Sequence, residues 1–250
     1  MPPICLHLGI AEEAIARLHH PIVDEYRGSY YLGSTAPDIR FFIGTRREET
    51  HFLALESEEG ESGARLMLQE HPELVKESSL SPATRAFIAG YISHLVTDEA
   101  WIYRIYRPYF GKASPVKGST RANLLDRVLQ FELDRQERLN NKNMSIIRAA
   151  LNSSTSDISV SFISASSLKR WCEFVFMSTT RKANWEDFRR FAEKYLIWLQ
   201  QGPFEEQEAF FSSFEDRREQ VLRMVPTEQI EAFRQQSIKD SVNAAQEYLG

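Results

Sequence analysis

The chain has 250 residues, 42% hydrophobic and 26% charged, an ordinary globular composition long enough to bury a substantial core. Thirty Lys and Arg against 35 Asp and Glu leave a net charge of −5, which excludes a global electrostatic pull toward nucleic acid or an anionic membrane. Two cysteines, Cys5 and Cys172, exclude a disulfide framework, and no apolar run approaches the ~18 residues of a transmembrane segment. The start, Met1-Pro2-Pro3-Ile4-Cys5-Leu6-His7, has neither the basic flank nor the apolar stretch of a signal peptide, so a soluble, cytoplasmic protein is expected.

Glycine and proline are scarce, and most segments repeat apolar residues with the period of a helix. Residues 6–18 predict a short amphipathic helix that stops before His19-His20-Pro21. Residues 21–33 predict a second short helix or turn closed by Gly33. In the following loop, Ser34 to Arg40, Pro37 biases Ala36 away from helix and puts Asp38 just past a forced bend. Residues 44–58 read as irregular and charged, and 60–76 as a helix interrupted at His71-Pro72. Ser81-Pro82 is an N-cap followed by proline at the first helical position. It opens a helix that runs to about Tyr106, where Arg107-Pro108 is expected to stop it. Phe87, Ile88, Tyr91, Ile92, Leu95 and Val96 make that helix apolar around most of its circumference, hence central and buried.

Ser119-Thr120 caps a further helix reaching about Leu139. The Asn- and Ser-rich stretch 140–167 reads either as a short helix over Ile146–Leu151 between loops or as a surface segment. Helices resume at 168–180, 184–201, 204–224 and 227–249. The expected fold is all-α, one domain over residues 1–250. It is a multi-helix bundle around the helix at about 82–106, with the helices of 168–249 packed against the half 1–139 that carries the candidate metal ligands.

The central helix contains two side chains foreign to an apolar core, His94 and Asp98. Four residues apart, they project from one face of one turn. A buried carboxylate is costly unless it is paired or holds a metal, and one imidazole with one carboxylate at this spacing suits zinc. Taken alone, the pair reads first as a satisfied core couple, His94 hydrogen-bonding Asp98. Asp126, Glu132 and Asp134 offer oxygen ligands, but the interleaved Arg127, Arg135 and Arg138 favour a solvated charged face. Cys5 reads as a small buried thiol and His19-His20 as partners of a helix dipole. Trp171, Phe174, Phe176, Trp185, Phe188, Phe191, Tyr195 and Trp198 read as core packing ahead of a lipid-contacting surface.

Four segments then fall into a pattern: Leu6-His7-Leu8-Gly9-Ile10-Ala11, Leu32-Gly33-Ser34-Thr35-Ala36-Pro37-Asp38-Ile39, Thr50-His51-Phe52, and Gly90 to Glu99 with His94 and Asp98. In this order and at these distances they resemble the zinc-dependent phospholipase C superfamily, whose all-helical fold is shared with fungal-type single-strand nucleases. The likeness is to a prokaryotic, intracellular-type member and spans residues 6–101. It implies that Asp38, His51, His94 and Asp98 form the main metal site. His7 is then a ligand of a neighbouring metal, Asp98 the bridging carboxylate, and Asp38 the catalytic base. The family's further histidines lie downstream of this helix, whereas here all six histidines are at or before position 94. The resemblance therefore implies one or two zinc ions. The activity it implies is a zinc-dependent phosphoric-diester hydrolase acting on a phosphoester small molecule or lipid headgroup; the sequence, lacking a strongly basic groove, makes no strong case for nucleic acid. A metal-stabilised scaffold or binding protein of the same fold is the alternative.

Overall fold

The computed structural model describes residues 2–54, 57–58, 60–76, 80–116, 120–152, 157–181, 184 and 214–250. The helices expected over 184–201 and in the first part of 204–224 lie outside the described residues, as do Trp185, Phe188, Phe191, Tyr195 and Trp198. Among the described residues the regular elements are helices and no strand is present, so the fold is all-α. In chain order they are α1 (Ile4–Leu18), α2 (Pro21–Glu25), α3 (Arg27–Gly33), a 3₁₀ turn (Ala36–Ile39), α4 (Arg40–Ile43), α5 (Glu48–His51) and α6 (Gly63–Glu70). A second 3₁₀ turn (Pro72–Val75) precedes α7 (Pro82–Trp101), which continues through a π turn (Ile102–Tyr106) into α8 (Arg107–Tyr109). Then come α9 (Thr120–Leu139), α10 (Asn141–Leu151), α11 (Ala165–Thr180), α12 (Phe214–Met224) and α13 (Thr227–Leu249).

α7 begins where the sequence places it. Ser81 Oγ accepts the Thr84 N–H at 3.1 Å, and Pro82 occupies the first turn, where its missing N–H costs nothing. The helix is buried from Ala83 to Trp101 on nearly every side. It does not stop at Arg107-Pro108. A proline ring meets the carbonyl four residues back, and the π turn just before it widens the backbone so that the chain passes Pro108 as helix.

Two helices clasp α7. On one side α3 crosses it at backbone distance: a Cβ on Gly33 would lie 2.0 Å from the Phe87 carbonyl oxygen, and one on Gly90 2.0 Å from that of Tyr30. Only two facing glycines allow this approach. On another side α13 packs through small residues, with Ser93 Oγ donating to Ser241 Oγ at 2.8 Å. α1 lies against α13 and α9. One apolar cluster gathers Tyr30, Phe87, Tyr91, Met144, Ile147 and Trp171, and a second gathers Leu6, Ile10, Trp101, Leu125, Leu129 and Phe233.

Asp126, Glu132 and Asp134 are not a solvated face. Each is at most 4% exposed and committed to protein partners. Asp126 accepts from the Trp101 indole at 3.0 Å and from Gln130 at 2.6 Å. Glu132 is gripped by Arg135 at 2.8 Å and by Arg218 of α12 at 2.9 Å. Asp134 accepts the Cys5 N–H at 2.8 Å, and with it caps an α1 N-terminus whose own N-cap, Pro3, has no side-chain acceptor. Arg135 neutralises Glu132 and Arg138 neutralises Asp134, while Asp126 is satisfied by hydrogen bonds, and that is what lets the three be buried.

Smaller departures have local causes. α5 forms within the segment expected to be irregular. Asp38 sits inside a 3₁₀ turn opened by Pro37. α10 starts at Asn141 because Asn140 caps it, its side chain accepting the Asn143 N–H at 3.2 Å, and it buries Met144, Ile147 and Leu151. His20 caps α2 by accepting the Ile22 N–H at 3.3 Å, and His19 ends α1 in the left-handed region with φ 48°. Cys5 is buried, as expected. No helix among the described residues is long and apolar enough to cross a membrane.

Candidate metal centre

Four elements bring five side chains to one buried place. His7 comes from α1, Asp38 from the 3₁₀ turn after α3, His51 from α5, and His94 with Asp98 from one face of α7. The side chains of His7, His51, His94 and Asp98 are at most 2% exposed, and Asp38 is the most open at 14%.

Backbone and hydroxyl partners fix the rings. His94 Nδ1 lies 2.9 Å from the carbonyl oxygen of Ser34. A carbonyl only accepts, so Nδ1 carries a proton, and in the neutral ring Nε2 keeps its lone pair. The Thr50 hydroxyl donates to the Arg47 carbonyl at 3.4 Å, so its oxygen accepts from His51 Nδ1 at 3.0 Å, and His51 Nε2 is free as well. These two nitrogens face each other at 3.4 Å. Two lone pairs at that distance repel unless a shared proton or a metal ion lies between them.

Carboxylate oxygens complete the cage. Asp98 Oδ2 is 3.3 Å from His51 Nε2 and 3.6 Å from His94 Nε2, and Asp38 Oδ1 is 3.7 Å from His51 Nε2. Ligands about 2.0–2.1 Å from a tetrahedral zinc stand roughly 3.4 Å apart, so these separations are compatible with a tetrahedral shell. His7 stacks on His94, ring centroids 3.8 Å apart, and its Nε2 faces the other Asp98 oxygen, Oδ1, at 3.5 Å. Neither of those two buried atoms has a hydrogen-bond partner. Among the described residues, His7/His94/Asp98 and Asp38/His51/His94 each form a triple compatible with a metal ion. The donor set, imidazoles with carboxylates, fits zinc.

The electrostatics agree with a cation-binding cage. Burial lowers the His51 pKa to about 4, and the nearby Arg47 charge adds to that. Burial, with the neighbouring His94, also lowers that of His7. Both rings are therefore neutral and able to ligate at neutral pH. Burial pulls His94 down too, but Asp98, Asp38 and the Ser34 carbonyl outweigh it and leave its pKa raised. Burial opposes ionisation of Asp98, yet His94, His51 and His7 hold its carboxyl well below the usual range.

One further side chain in the cage was not among the residues singled out from sequence. Arg47 is four residues before His51, and its side chain is only 9% exposed. Its Nη2 and Nη1 stand 3.3 and 3.4 Å from Asp98 Oδ2, and its Nε has no partner. The helical spacing Arg47-Glu48-Glu49-Thr50-His51 is the signal that marks it, once α5 is known to be a helix. Around the site, the Tyr91 hydroxyl donates to the Thr50 carbonyl at 2.5 Å and anchors α5 to α7. Glu99 accepts the Gly63 N–H at 2.7 Å and anchors α6.

No curated protein and no solved structure matches the chain. Residues 6–101 match the family model described as zinc dependent phospholipase C. That segment contains all five side chains of the cage and the turns that aim them. It is over this segment, residues 6–101, that the chain is similar to the zinc-dependent phospholipase C family.

Proposed function

We propose that the chain is a zinc-dependent phosphoric-diester hydrolase of the phospholipase C type, with Asp38, His51, His94 and Asp98 as the ligands of its ion and His7 beside them. The observation that carries this reading is the pair of facing Nε2 atoms, 3.4 Å apart beside the carboxylates of Asp38 and Asp98. A zinc ion held there supplies Lewis acidity toward water and toward a phosphoryl oxygen. The protein supplies the rest. The Ser34 carbonyl and the Thr50 hydroxyl hold the two imidazoles in the ligating tautomer. Asp98 brings negative charge to the closed side of the cage. Asp38, the most open carboxylate, meets solvent and is the base that takes the proton from attacking water.

The helix just after Asp38 supports a lipid headgroup as substrate. Phe41, Phe42 and Ile43 are 57%, 38% and 36% exposed, a consecutive apolar run on α4. Arg40 stacks over Phe41 and Arg170 lies over Phe42, so guanidinium groups accompany the apolar rings. Such a surface suits the boundary between headgroup and acyl chain.

The test is turnover of bis-(p-nitrophenyl) phosphate and of a long-chain phospholipid by protein reconstituted with zinc. Zinc-dependent cleavage, lost by at least ~10³-fold in Asp38→Asn, is the expected result. Zinc that binds and raises the melting temperature with no cleavage of either substrate supports the metal-stabilised scaffold instead.

A further inference from the structure

Two ion positions compete for one nitrogen. The triples His7/His94/Asp98 and Asp38/His51/His94 both need His94 Nε2, because His94 Nδ1 is committed to the Ser34 carbonyl. An imidazole nitrogen has a single lone pair and binds a single ion. An ion in the Asp38/His51/His94 cage, with Asp98 Oδ2 as its fourth ligand, takes that lone pair. A second ion is left with His7 Nε2 and Asp98 Oδ1, 3.5 Å apart. Two donors make a weaker zinc site than the three protein ligands of an open one, so a neighbouring charge decides whether it fills.

The charge that a second ion would bring to Asp98 is already present as Arg47. Its guanidinium lies against Asp98 Oδ2 from two nitrogens, and the side chain is nine-tenths buried. Arginine keeps its charge at any accessible pH, so this cation does not leave as a metal does. A buried arginine is held by a carboxylate it faces, and a second divalent ion on the same carboxylate would meet a fixed positive charge across a few ångströms.

We propose that Arg47 is the second cation of this centre: from the Oδ2 side of Asp98 it supplies the positive charge that a second metal would bring on Oδ1, and so limits the chain to one ion. This rests on the metal reading of the same cage. Arg47 is a positioning residue here. It holds the Asp98 carboxylate in place and sets how many ions the site accepts, whether or not a substrate is turned over.

Native mass spectrometry of the full chain, reconstituted with excess zinc and freed of loosely held ions, counts the metal directly. The wild type is expected to carry one zinc. Arg47→Gln, which removes the charge and keeps a polar side chain, is expected to carry two, the second stripped at lower chelator concentration. Arg47→Lys retains the charge and should carry one. His7→Gln should also carry one, because the retained ion sits on the other side of Asp98; where Arg47→Gln does not fold, the wild-type count still decides, since two zinc ions beside an intact Arg47 overturn the assignment. Two zinc ions in the wild type, a single zinc in folded Arg47→Gln, or loss of the ion in His7→Gln overturns the assignment while leaving the metal reading intact. No zinc in the wild type overturns both.

Discussion

Asp98 concentrates the site's charge balance in one side chain. Its Oδ2 faces His51, His94 and Arg47 while its Oδ1 faces His7 with no hydrogen bond. Asp98→Asn keeps the shape and removes the charge. It should weaken zinc binding at least ~100-fold and lower the melting temperature of the metal-free chain too, because Arg47 loses its buried counter-charge. Metal analysis and thermal melting check this, and full zinc content with unchanged melting would show that the pair His94/Asp98 is only a core couple. The i, i+4 spacing of that pair is legible from sequence, and so is its foreignness in an apolar helix. Arg47 is not, because an arginine among glutamates in a charged stretch looks like solvated surface until α5 carries it inward.

At the scale of elements, the site depends on how closely α3 approaches α7. The Ser34 carbonyl that orients His94 lies at the end of α3, and it reaches the ring only because Gly33 and Gly90 let the two backbones touch. Gly90→Ala would place a methyl group 2.0 Å from the Tyr30 carbonyl oxygen, a backbone atom with no rotamer to escape into. The expected loss is about 3 kcal/mol of stability, with zinc affinity falling as well, since the helices separate where the cage is built. Urea unfolding with and without zinc measures both. A variant of wild-type stability would mean that the helix crossing yields without cost. From sequence the glycines are visible and their pairing is not, since residues 33 and 90 meet only through the crossing.

Across the whole molecule, Glu132 ties the segment after the site to the C-terminal helices through Arg218. Burial alone would raise its pKa, but Arg135, Arg218 and Gln136 hold it at about 2. A carboxyl lowered in the folded state stabilises the fold above its unfolded pKa, and that contribution is lost as pH falls from about 4.5 toward 2. Glu132→Gln should therefore melt well below the wild type at pH 7, and the gap should narrow steadily between about pH 5 and pH 3. A gap independent of pH would show that Arg218 and Arg135 grip the amide as firmly as the carboxylate.

The sequence by itself determined the helical class, the caps of α7 and the near-complete burial of that helix, because these follow from local periodicity and local hydrogen-bond chemistry. It also singled out His7, Asp38, His51, His94 and Asp98, through a likeness carried by short motifs. Tertiary structure decided what no window of sequence contains. It turned Asp126, Glu132 and Asp134 from a supposed solvent face into buried partners of Trp101, Arg218 and Cys5, residues 25, 86 and 129 positions away along the chain. It also let the central helix pass Pro108 through a π turn, and it set Arg47 against Asp98, 51 residues away. The physical reason is the same in each case. Whether a charged side chain is solvated or buried depends on the partner that neutralises it, and that partner is brought by the packing of helices and not by its neighbours in the chain.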